Sequence, residues 1–291
     1  MLKSMTGFGR SEQPVGDKVF MIDIKSLNGK GFELQLKMPA FLRPFEFDIR
    51  KIIADGLGRG TVDCTINLKE TGNAKPVTIN TQLAKAYYQP LASLAAELNI
   101  PVNDVLSVLV KLPEVITPTA ETLTDAEWTQ FKAALQAAIS DLNNHREEEG
   151  KSLMADLVLR INNIRQLQTA VMELEPARKQ KVRDGIVKLL EEQHIKEGYD
   201  QNRLEQELIY YIEKMDISEE QVRLTNHLDY FLSILTEPET GKGKKLSFVL
   251  QEIGRELNTT GAKAYDASIQ KKVVLMKDEL EKAKEQVLNV L

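Results

Sequence analysis

Apolar and polar residues alternate along three stretches of the first 70 residues, which are 18–24, 32–38 and 62–68. Because successive side chains of a strand point to opposite faces, each stretch predicts a strand with one buried face. Residues 44–57 instead carry apolar residues at helical spacing, and 76–80 reads as a short extended piece. The order strand, strand, helix, strand predicts a small, mostly antiparallel sheet covered by helix.

From residue 81 onward the pattern is almost entirely helical. Residues 81–98 and 103–111 predict two short helices, and 116–124 predicts a loop. Residues 124–174 contain few helix-breaking residues, which predicts one very long helix or two collinear helices. Pro176 is expected to separate this helix from a further charged helix, because a proline interrupts the backbone hydrogen bonds of a helix interior.

These patterns predict an α+β fold: a small N-terminal mostly antiparallel sheet domain with helices, then long helices and a mainly α-helical C-terminal domain. We predict an N-terminal α/β domain over 1–155, a helical connector over 156–172 and a C-terminal domain over 173–291. The C-terminal domain is predicted to carry the active site, since the candidate polar clusters described below lie in it.

The last helix carries a heptad pattern, which is typical of helices that pack along one apolar seam. The a and d positions are Val273, Met276, Leu280, Ala283, Val287 and Val290. The pattern fits packing on the chain's own domain and fits helix association between subunits. The heptad pattern is too short to distinguish packing within the chain from association between subunits.

The composition is globular, with 42% hydrophobic and 28% charged residues. The sequence has a single cysteine, Cys64, and it stands in an alternating apolar run. A single cysteine excludes a disulfide framework and a thiolate metal cluster. The chain shows no signal peptide and no apolar stretch of about 20 residues, so we expect a cytoplasmic protein and no membrane partner. The net charge of −5 means that any nucleic-acid binding requires a local basic patch.

Two stretches place a basic residue near a carboxylate at helical spacing. Arg203 and Glu207 are four residues apart, which by itself indicates an exposed ion pair. Glu220, Arg223 and His227 fall within about 60° of one another on a helix that begins near Ser218 with a capping-box sequence. A histidine in this setting suits a general base, a metal ligand or a structural role.

A third stretch, 246–259, places Glu252 and Glu256 on adjacent turns of one polar helix face. Paired carboxylates are ligands that Mg²⁺ and Mn²⁺ favour. The flexible-looking segment 241–245 precedes this helix, and five basic residues surround the two glutamates: Lys242, Lys244, Lys245, Arg255 and Lys263. Carboxylates inside a local basic patch suit phosphodiester chemistry, with metal on the glutamates and phosphate on the basic residues.

Sequence blocks along the chain resemble one known family. The blocks are SMTGFGR at 4–10, SLN at 26–28, RGTVDCTI at 59–66, HREEEGKSL at 145–153, NRLEQEL at 202–208, DISEEQVRLTNHLDYF at 216–231 and GKKLSFVLQEIGRELNTTGAK at 243–263. Together they resemble the YicC/YloC-like endoribonuclease family over essentially the whole chain. Ser247 and Gly254 depart from the residues usual there, which are aspartate and asparagine.

The resemblance implies a divalent-metal-dependent endoribonuclease with an N-terminal α/β domain, a mainly helical C-terminal domain and a ring-like hexamer that encloses RNA. Carried over position by position, it implies functional residues at Glu220, Arg223, His227, Gln251, Glu252, Arg255, Glu256 and Lys263.

We therefore predict a nuclease that cleaves single-stranded or structured RNA, with Mn²⁺ or Mg²⁺ as cofactor and RNA and further copies of the chain as partners. The predicted catalytic residues are His227, Glu252 and Glu256. The predicted RNA-binding residues are Arg203, Arg223, Lys245, Arg255 and Lys263. The predicted metal ligands are Glu220, Glu252 and Glu256.

Two other hypotheses remain open. A non-catalytic adaptor would use the same basic patch to present RNA to another nuclease, and would need no metal. A structural helical assembly protein would use the charged faces as subunit contacts.

Overall fold

The computed structural model describes residues 2–16, 18–69, 77–99, 104–118, 123–192, 201–238 and 241–291. The strands are β1 (Gly7–Val15), β2 (Lys18–Leu27), β3 (Phe32–Lys37), β4 (Gly60–Lys69), β5 (Val77–Ile79) and β6 (Ile116–Pro118). A 3₁₀ helix spans Ala40–Phe45. The α-helices are α1 (Glu46–Leu57), α2 (Thr81–Glu97), α3 (Val105–Leu109), α4 (Asp125–Glu192), α5 (Gln201–Lys214), α6 (Ser218–Thr236), α7 (Lys242–Ala264) and α8 (Ala267–Val287).

The N-terminal sheet has the strand order β1-β2-β4-β3. β2 pairs antiparallel with both β1 and β4, while β3 runs parallel to β4. The predicted α+β class with a mostly antiparallel sheet is confirmed. The alternation did not reveal β1, because glycine and serine occupy most of its buried positions. A Cβ on Gly9 would lie 2.2 Å from the carbonyl oxygen of Ala138, so glycine lets β1 lie directly against α4.

Two hydrophobic cores share the long helix α4. The first lies between the sheet, α1 and the early turns of α4, where Phe20, Ile49 and Phe131 are fully buried. The second joins later turns of α4 to α6, α7 and α8, with Ile161 and Phe231 among its buried residues. One continuous helix therefore forms part of both cores. The predicted domain boundaries at 155 and 173 both lie within it and stay a prediction.

Two local predictions were wrong. Residues 116–118 form β6, which pairs antiparallel with β5, instead of a loop. Pro176 lies inside α4, which continues to Glu192. The guanidinium of Arg178, one half-turn further on, donates to the carbonyl oxygens of Lys263 and Met215. These tertiary contacts hold the helix on the second core and offset the cost of the proline, which is about 3 kcal/mol.

The heptad of the last helix packs within the chain. Its six predicted a and d positions are all buried in the second core. α8 packs there against α4 and α7. Of the two alternatives, packing on the chain's own domain is therefore confirmed, since these side chains are already covered.

Four of the blocks that carry the family resemblance meet at Arg146, which is fully buried. Its guanidinium donates to the carbonyl oxygens of Leu57 at 3.2 Å and Arg59 at 3.1 Å, and to Ser26 Oγ at 2.6 Å. A longer bond of 3.4 Å reaches the carbonyl oxygen of Met5. Burial lowers the pKa of Arg146. The side chain thus joins α4 to the sheet and to the N-terminal segment.

Glu279 links α8 to α4 at the rim of the second core. Its carboxylate accepts hydrogen bonds from Asn163 Nδ2 at 2.9 Å, Lys282 Nζ at 3.0 Å and Arg160 Nη1 at 3.3 Å. These contacts, led by the Asn163 hydrogen bond, lower the pKa of Glu279 from its ordinary value of 4.5. A carboxyl whose pKa is lower in the folded state stabilises the fold above its unfolded pKa.

The free energy of unfolding is therefore expected to fall as the pH drops below about 4.5, through the lowered pKa of Glu279. The Glu279→Gln variant should be less stable than the unchanged protein at pH 7, and the difference should shrink towards pH 3. Urea titrations at both pH values measure this. Glu281→Gln is the matched control, because the Glu281 side chain is 66% exposed on the same helix. An equal response from both variants would contradict the assignment.

Candidate functional site

Helices α6 and α7 form an antiparallel pair that is joined by polar contacts at both ends. At one end Lys263 Nζ lies 2.7 Å from Glu220 Oε1, and Gln221 Nε2 donates to Thr260 Oγ1 at 3.3 Å. At the other end Lys245 Nζ lies 3.0 Å from Glu237 Oε2. We call the outer edge of the pair between these two ends the α6–α7 seam. Its members are Arg223, His227 and Tyr230 of α6 and Phe248, Glu252 and Glu256 of α7.

The starts of both helices differ from the sequence prediction. Ser218 is not held by a capping box; Asp216 Oδ1 accepts hydrogen bonds from the Ser218 backbone N–H and hydroxyl. The segment 241–245, expected to be flexible, is helical from Lys242. Lys242 is buried and donates to the carbonyl oxygens of Leu235 and Glu237 at the end of α6. This lysine fixes the turn between the helices, and its charge is not available to a ligand.

Glu220 is a buried carboxylate at the first end of the seam, with 6% of its surface exposed. Lys263 is the counter-ion that such a buried charge needs. The second oxygen, Oε2, has no hydrogen-bond partner. Lys263 is thus occupied within the chain, whereas the sequence predicted an RNA-binding cation.

Glu252 and Glu256 have different environments, although both were predicted on one polar face. Glu256 is 5% exposed and lies one turn before Thr260 and two turns before Lys263, the residues through which α7 contacts α6, so it is on the same side of α7. Within the described segments it forms no hydrogen bond or ion pair. The Glu252 side chain is 50% exposed and lies 4.0 Å from Arg255. The sequence placed both glutamates on one polar face, but the structure buries Glu256 and leaves Glu252 half exposed, because α6 packs against the Glu256 side of α7.

His227 and Arg223 lie in the stretch of α6 that passes Glu252 and Glu256. His227 is half-buried and makes no hydrogen bond or ion pair with any residue that the structure describes. Arg223 Nη2 pairs with Glu219 Oε1 at 2.5 Å, so its partner is the exposed Glu219 and not Glu220. In the antiparallel pairing set by the contacts at its two ends, the seam therefore carries along its length a half-buried imidazole, a buried carboxylate and an exposed carboxylate, with an arginine at its edge.

Only part of the predicted basic patch is available to a ligand. Lys245 is bound to Glu237, and this hydrogen bond raises the pKa of the lysine. Arg255 is the most exposed of the four predicted cations whose side chains the structure describes, with 77% of its side chain exposed. Lys244 is exposed as well. Arg203 lies in α5, and its side chain is outside the described residues.

Two seam residues were missed from the sequence. Tyr230 and Phe248 are 46% and 56% exposed. Phe231 and Val249, which follow them, belong to the buried stripes of the two helices, and the apolar pattern gave Tyr230 and Phe248 no role of their own. A large aromatic on the polar side of an amphipathic helix is the signal that could have identified them.

Comparison with known families decides where the chain belongs. Residues 2–155 match the family model described as endoribonuclease YicC-like, N-terminal region, and residues 168–291 match the model described as endoribonuclease YicC-like, C-terminal. The chain belongs to the YicC-like endoribonuclease family. Two relatives, from Clostridioides difficile (strain 630) and Haemophilus influenzae, are named probable endoribonuclease YicC. Each is 30% identical over 297 residues, with the whole of both chains covered.

The seam supplies fewer carboxylate ligands than a divalent-cation site built entirely from protein side chains would need. In the parts of the chain that the structure describes, no group of three His, Cys, Asp or Glu side chains is placed to share one ion. Glu220, Glu252 and Glu256 are thus not gathered into one ligand set. Mg²⁺, however, is often held by one or two carboxylates together with waters and substrate phosphates. The unpartnered Glu256 and Glu220 Oε2 are oxygen donors of the required kind.

No helix in the described segments combines the length and the apolar composition that a transmembrane span requires.

Proposed function

We propose that this chain is an endoribonuclease and that it cleaves RNA at the α6–α7 seam. The observation that carries the proposal is the position of His227, half-buried and without a partner among the described residues, in the same stretch of the seam as the unpartnered Glu256. The names of the two relatives support the same activity.

In the proposed mechanism the His227 imidazole accepts a proton from the water molecule that attacks the scissile phosphorus. The P–O bond to the leaving oxygen then breaks, and that oxygen takes up a proton from solvent. The exposed guanidiniums of Arg255 and Arg223 bind the phosphates on either side of the scissile bond and stabilise the added negative charge. Lys245 and Lys263 are bound to carboxylates within the chain, so they give the RNA backbone weaker contacts than these two guanidiniums. The role of Arg203 in RNA binding stays a prediction from the sequence. The substrate is single-stranded or structured RNA.

Mn²⁺ or Mg²⁺ is part of the proposal. Glu252 would hold the ion together with waters and a substrate phosphate, and Glu256, one helical turn away, is the nearest further carboxylate on α7. Glu220 pairs with Lys263, which is about 16 Å from Glu252 along α7, so Glu220 would not bind the same ion. Bound there, such an ion lowers the pKa of a water molecule or polarises a phosphate oxygen. Glu256 would act from the buried side of the seam, because α6 covers it. The half-exposed Glu252 would act from the solvent side, where the substrate binds.

The remaining parts of the proposal concern the assembly. The family resemblance supports a homo-oligomer, specifically a hexamer, acting on cytoplasmic RNA. The heptad of α8 contributes nothing to this, since its apolar positions are buried within the chain. Mass measurement in solution tests the subunit number.

Purified protein should cleave an end-labelled RNA hairpin with a single-stranded tail when Mn²⁺ is present. Addition of EDTA is expected to stop cleavage, and excess Mn²⁺ should restore it, because the carboxylates of the seam act through the ion. Product lengths are followed on a denaturing gel. Equal cleavage with and without EDTA would reject the metal-dependent reaction.

One observation favours the adaptor alternative: the described residues contain no three-ligand metal group. An adaptor would bind the same RNA in EDTA and leave it intact in Mn²⁺. Binding and cleavage measured on one sample therefore separate the two functions.

A further inference from the structure

Two exposed aromatic rings lie at the Lys245 end of the α6–α7 seam, and each has a lysine ammonium over its face. Lys245 Nζ is 5.6 Å from the ring centroid of Tyr230, and Lys244 Nζ is 5.9 Å from that of Phe248. Both rings are about half exposed. We call Tyr230, Phe248, Lys244 and Lys245 the aromatic–lysine cluster.

The two rings belong to one surface, because both are neighbours of Lys245. Phe248 follows Lys245 by three residues on α7, which places them side by side on the helix surface. Tyr230 contacts the same lysine from α6. The cluster is also close to the proposed reaction site: Tyr230 is three residues from His227, and Phe248 is four residues from Glu252. Each of these steps is about one helical turn, or roughly 5 Å along the axis.

Aromatic faces beside cations are the groups with which proteins bind unpaired nucleotides. Bases stack on aromatic rings whatever their sequence, and nearby lysines neutralise the phosphates. A paired base in an A-form helix cannot be reached in this way, since its faces are covered by its neighbours. The cluster offers both groups at the surface, whereas the apolar side chains on the inward side of the same helices are buried in the second core.

We infer that the aromatic–lysine cluster is a stacking platform for one or two unpaired RNA bases, next to the bond that is cut. The substrate class is then RNA with unpaired nucleotides beside the cleavage position, such as a loop or a single-stranded tail. The inference rests on the proposed RNA cleavage for the position of the cut, but the binding of unpaired bases is tested without it.

The test is binding of a fluorescein-labelled 12-nucleotide RNA to the full-length protein, measured by fluorescence anisotropy in EDTA so that metal-dependent cleavage is off. Tyr230→Ala and Phe248→Ala should each weaken binding of the single strand by about tenfold, which corresponds to the stacking of one base. Tyr230→Phe keeps the ring and should bind nearly as well as the unchanged protein.

The chain offers a matched control in α5. Tyr210 is 57% exposed and has Lys214 Nζ 5.9 Å from its ring centroid, so it is the same kind of pair outside the α6–α7 seam. Tyr210→Ala should leave the affinity for the single strand unchanged. An equal loss in this variant would mean that exposed aromatic residues bind RNA without a dedicated platform, and would overturn the inference.

A second probe identifies the stacked group. The same RNA with several nucleotides lacking their bases should bind the unchanged protein about tenfold more weakly, and Tyr230→Ala should cause no further loss with this probe. A fully paired RNA duplex should bind the unchanged protein and Tyr230→Ala alike. If Tyr230→Ala weakens the duplex, the base-free RNA and the single strand equally, the platform is rejected.

Each remaining outcome decides for or against the platform. Alanine variants that bind the single strand normally reject it, whatever the nuclease assay shows. A change of subunit number in these variants, with unchanged RNA affinity at equal oligomer concentration, means that a second copy of the chain covers the rings. If Tyr230→Ala and Phe248→Ala weaken single-strand binding as expected but the protein cleaves no RNA in Mn²⁺, the proposed catalysis is rejected and the stacking platform is supported.

Discussion

Alanine in place of His227 is expected to lower the rate of RNA cleavage by at least about a hundredfold, which is the usual contribution of a proton-transfer group. Alanine in place of Glu252 should lower the rate at least as much, because the proposed ion loses its carboxylate. The fold should tolerate both changes. His227 makes no hydrogen bond or ion pair within the described segments, and Glu252 has only a long contact of 4.0 Å with Arg255. Single-turnover cleavage of labelled RNA gives the rate, and thermal unfolding by circular dichroism checks the fold.

Glu281→Ala is the control for these variants, because it removes an exposed carboxylate from α8, away from the seam. It should cleave RNA at the unchanged rate. The RNA affinity in EDTA should also stay within a few-fold for His227→Ala, since the imidazole acts on the reaction and not on binding. A variant of His227 or Glu252 that keeps its full cleavage rate would show that the reaction is carried out elsewhere.

Arg146→Ala is expected to cause the largest loss of stability, about 3–5 kcal/mol in the free energy of unfolding. The change removes a fully buried guanidinium that binds three carbonyl oxygens and the Ser26 hydroxyl. Each buried acceptor left without a donor costs about 1–3 kcal/mol, and a cavity remains where the side chain packed. Urea unfolding, followed by circular dichroism, measures the change.

Arg146→Lys separates the charge from the geometry. A lysine keeps the positive charge but cannot reproduce the planar fork of donors, so it should restore only part of the stability. Arg10→Ala is the control on the sheet: its side chain is 50% exposed and lies 3.5 Å from Asp23, so little change in stability is expected. If Arg146→Ala unfolds at the same urea concentration as Arg10→Ala, the buried arginine does not hold the sheet to α4.

Several elements were predictable because their patterns are local. The alternation of β2, β3 and β4 and the helical spacing of α1 and of the long helix from residue 124 follow directly from backbone geometry. The sequence blocks that resemble the YicC-like family were also sufficient for family membership, because their order covers the whole chain. β1 escaped prediction since its buried positions hold glycine and serine, which carry no hydrophobic signal.

Sequence by itself thus determined the fold class, the family and the three helices on which the candidate residues lie. Only the tertiary structure decided which of their charges are free. Helical periodicity gives the direction around the helix axis in which a side chain such as Glu220, Glu256, Lys245 or Lys263 lies. It does not say which other element packs against that side of the helix. The pairing of α6 with α7 binds both lysines to carboxylates and buries Glu256. Burial and pairing depend on contacts between helices, and these contacts bring together residues that lie far apart in the sequence.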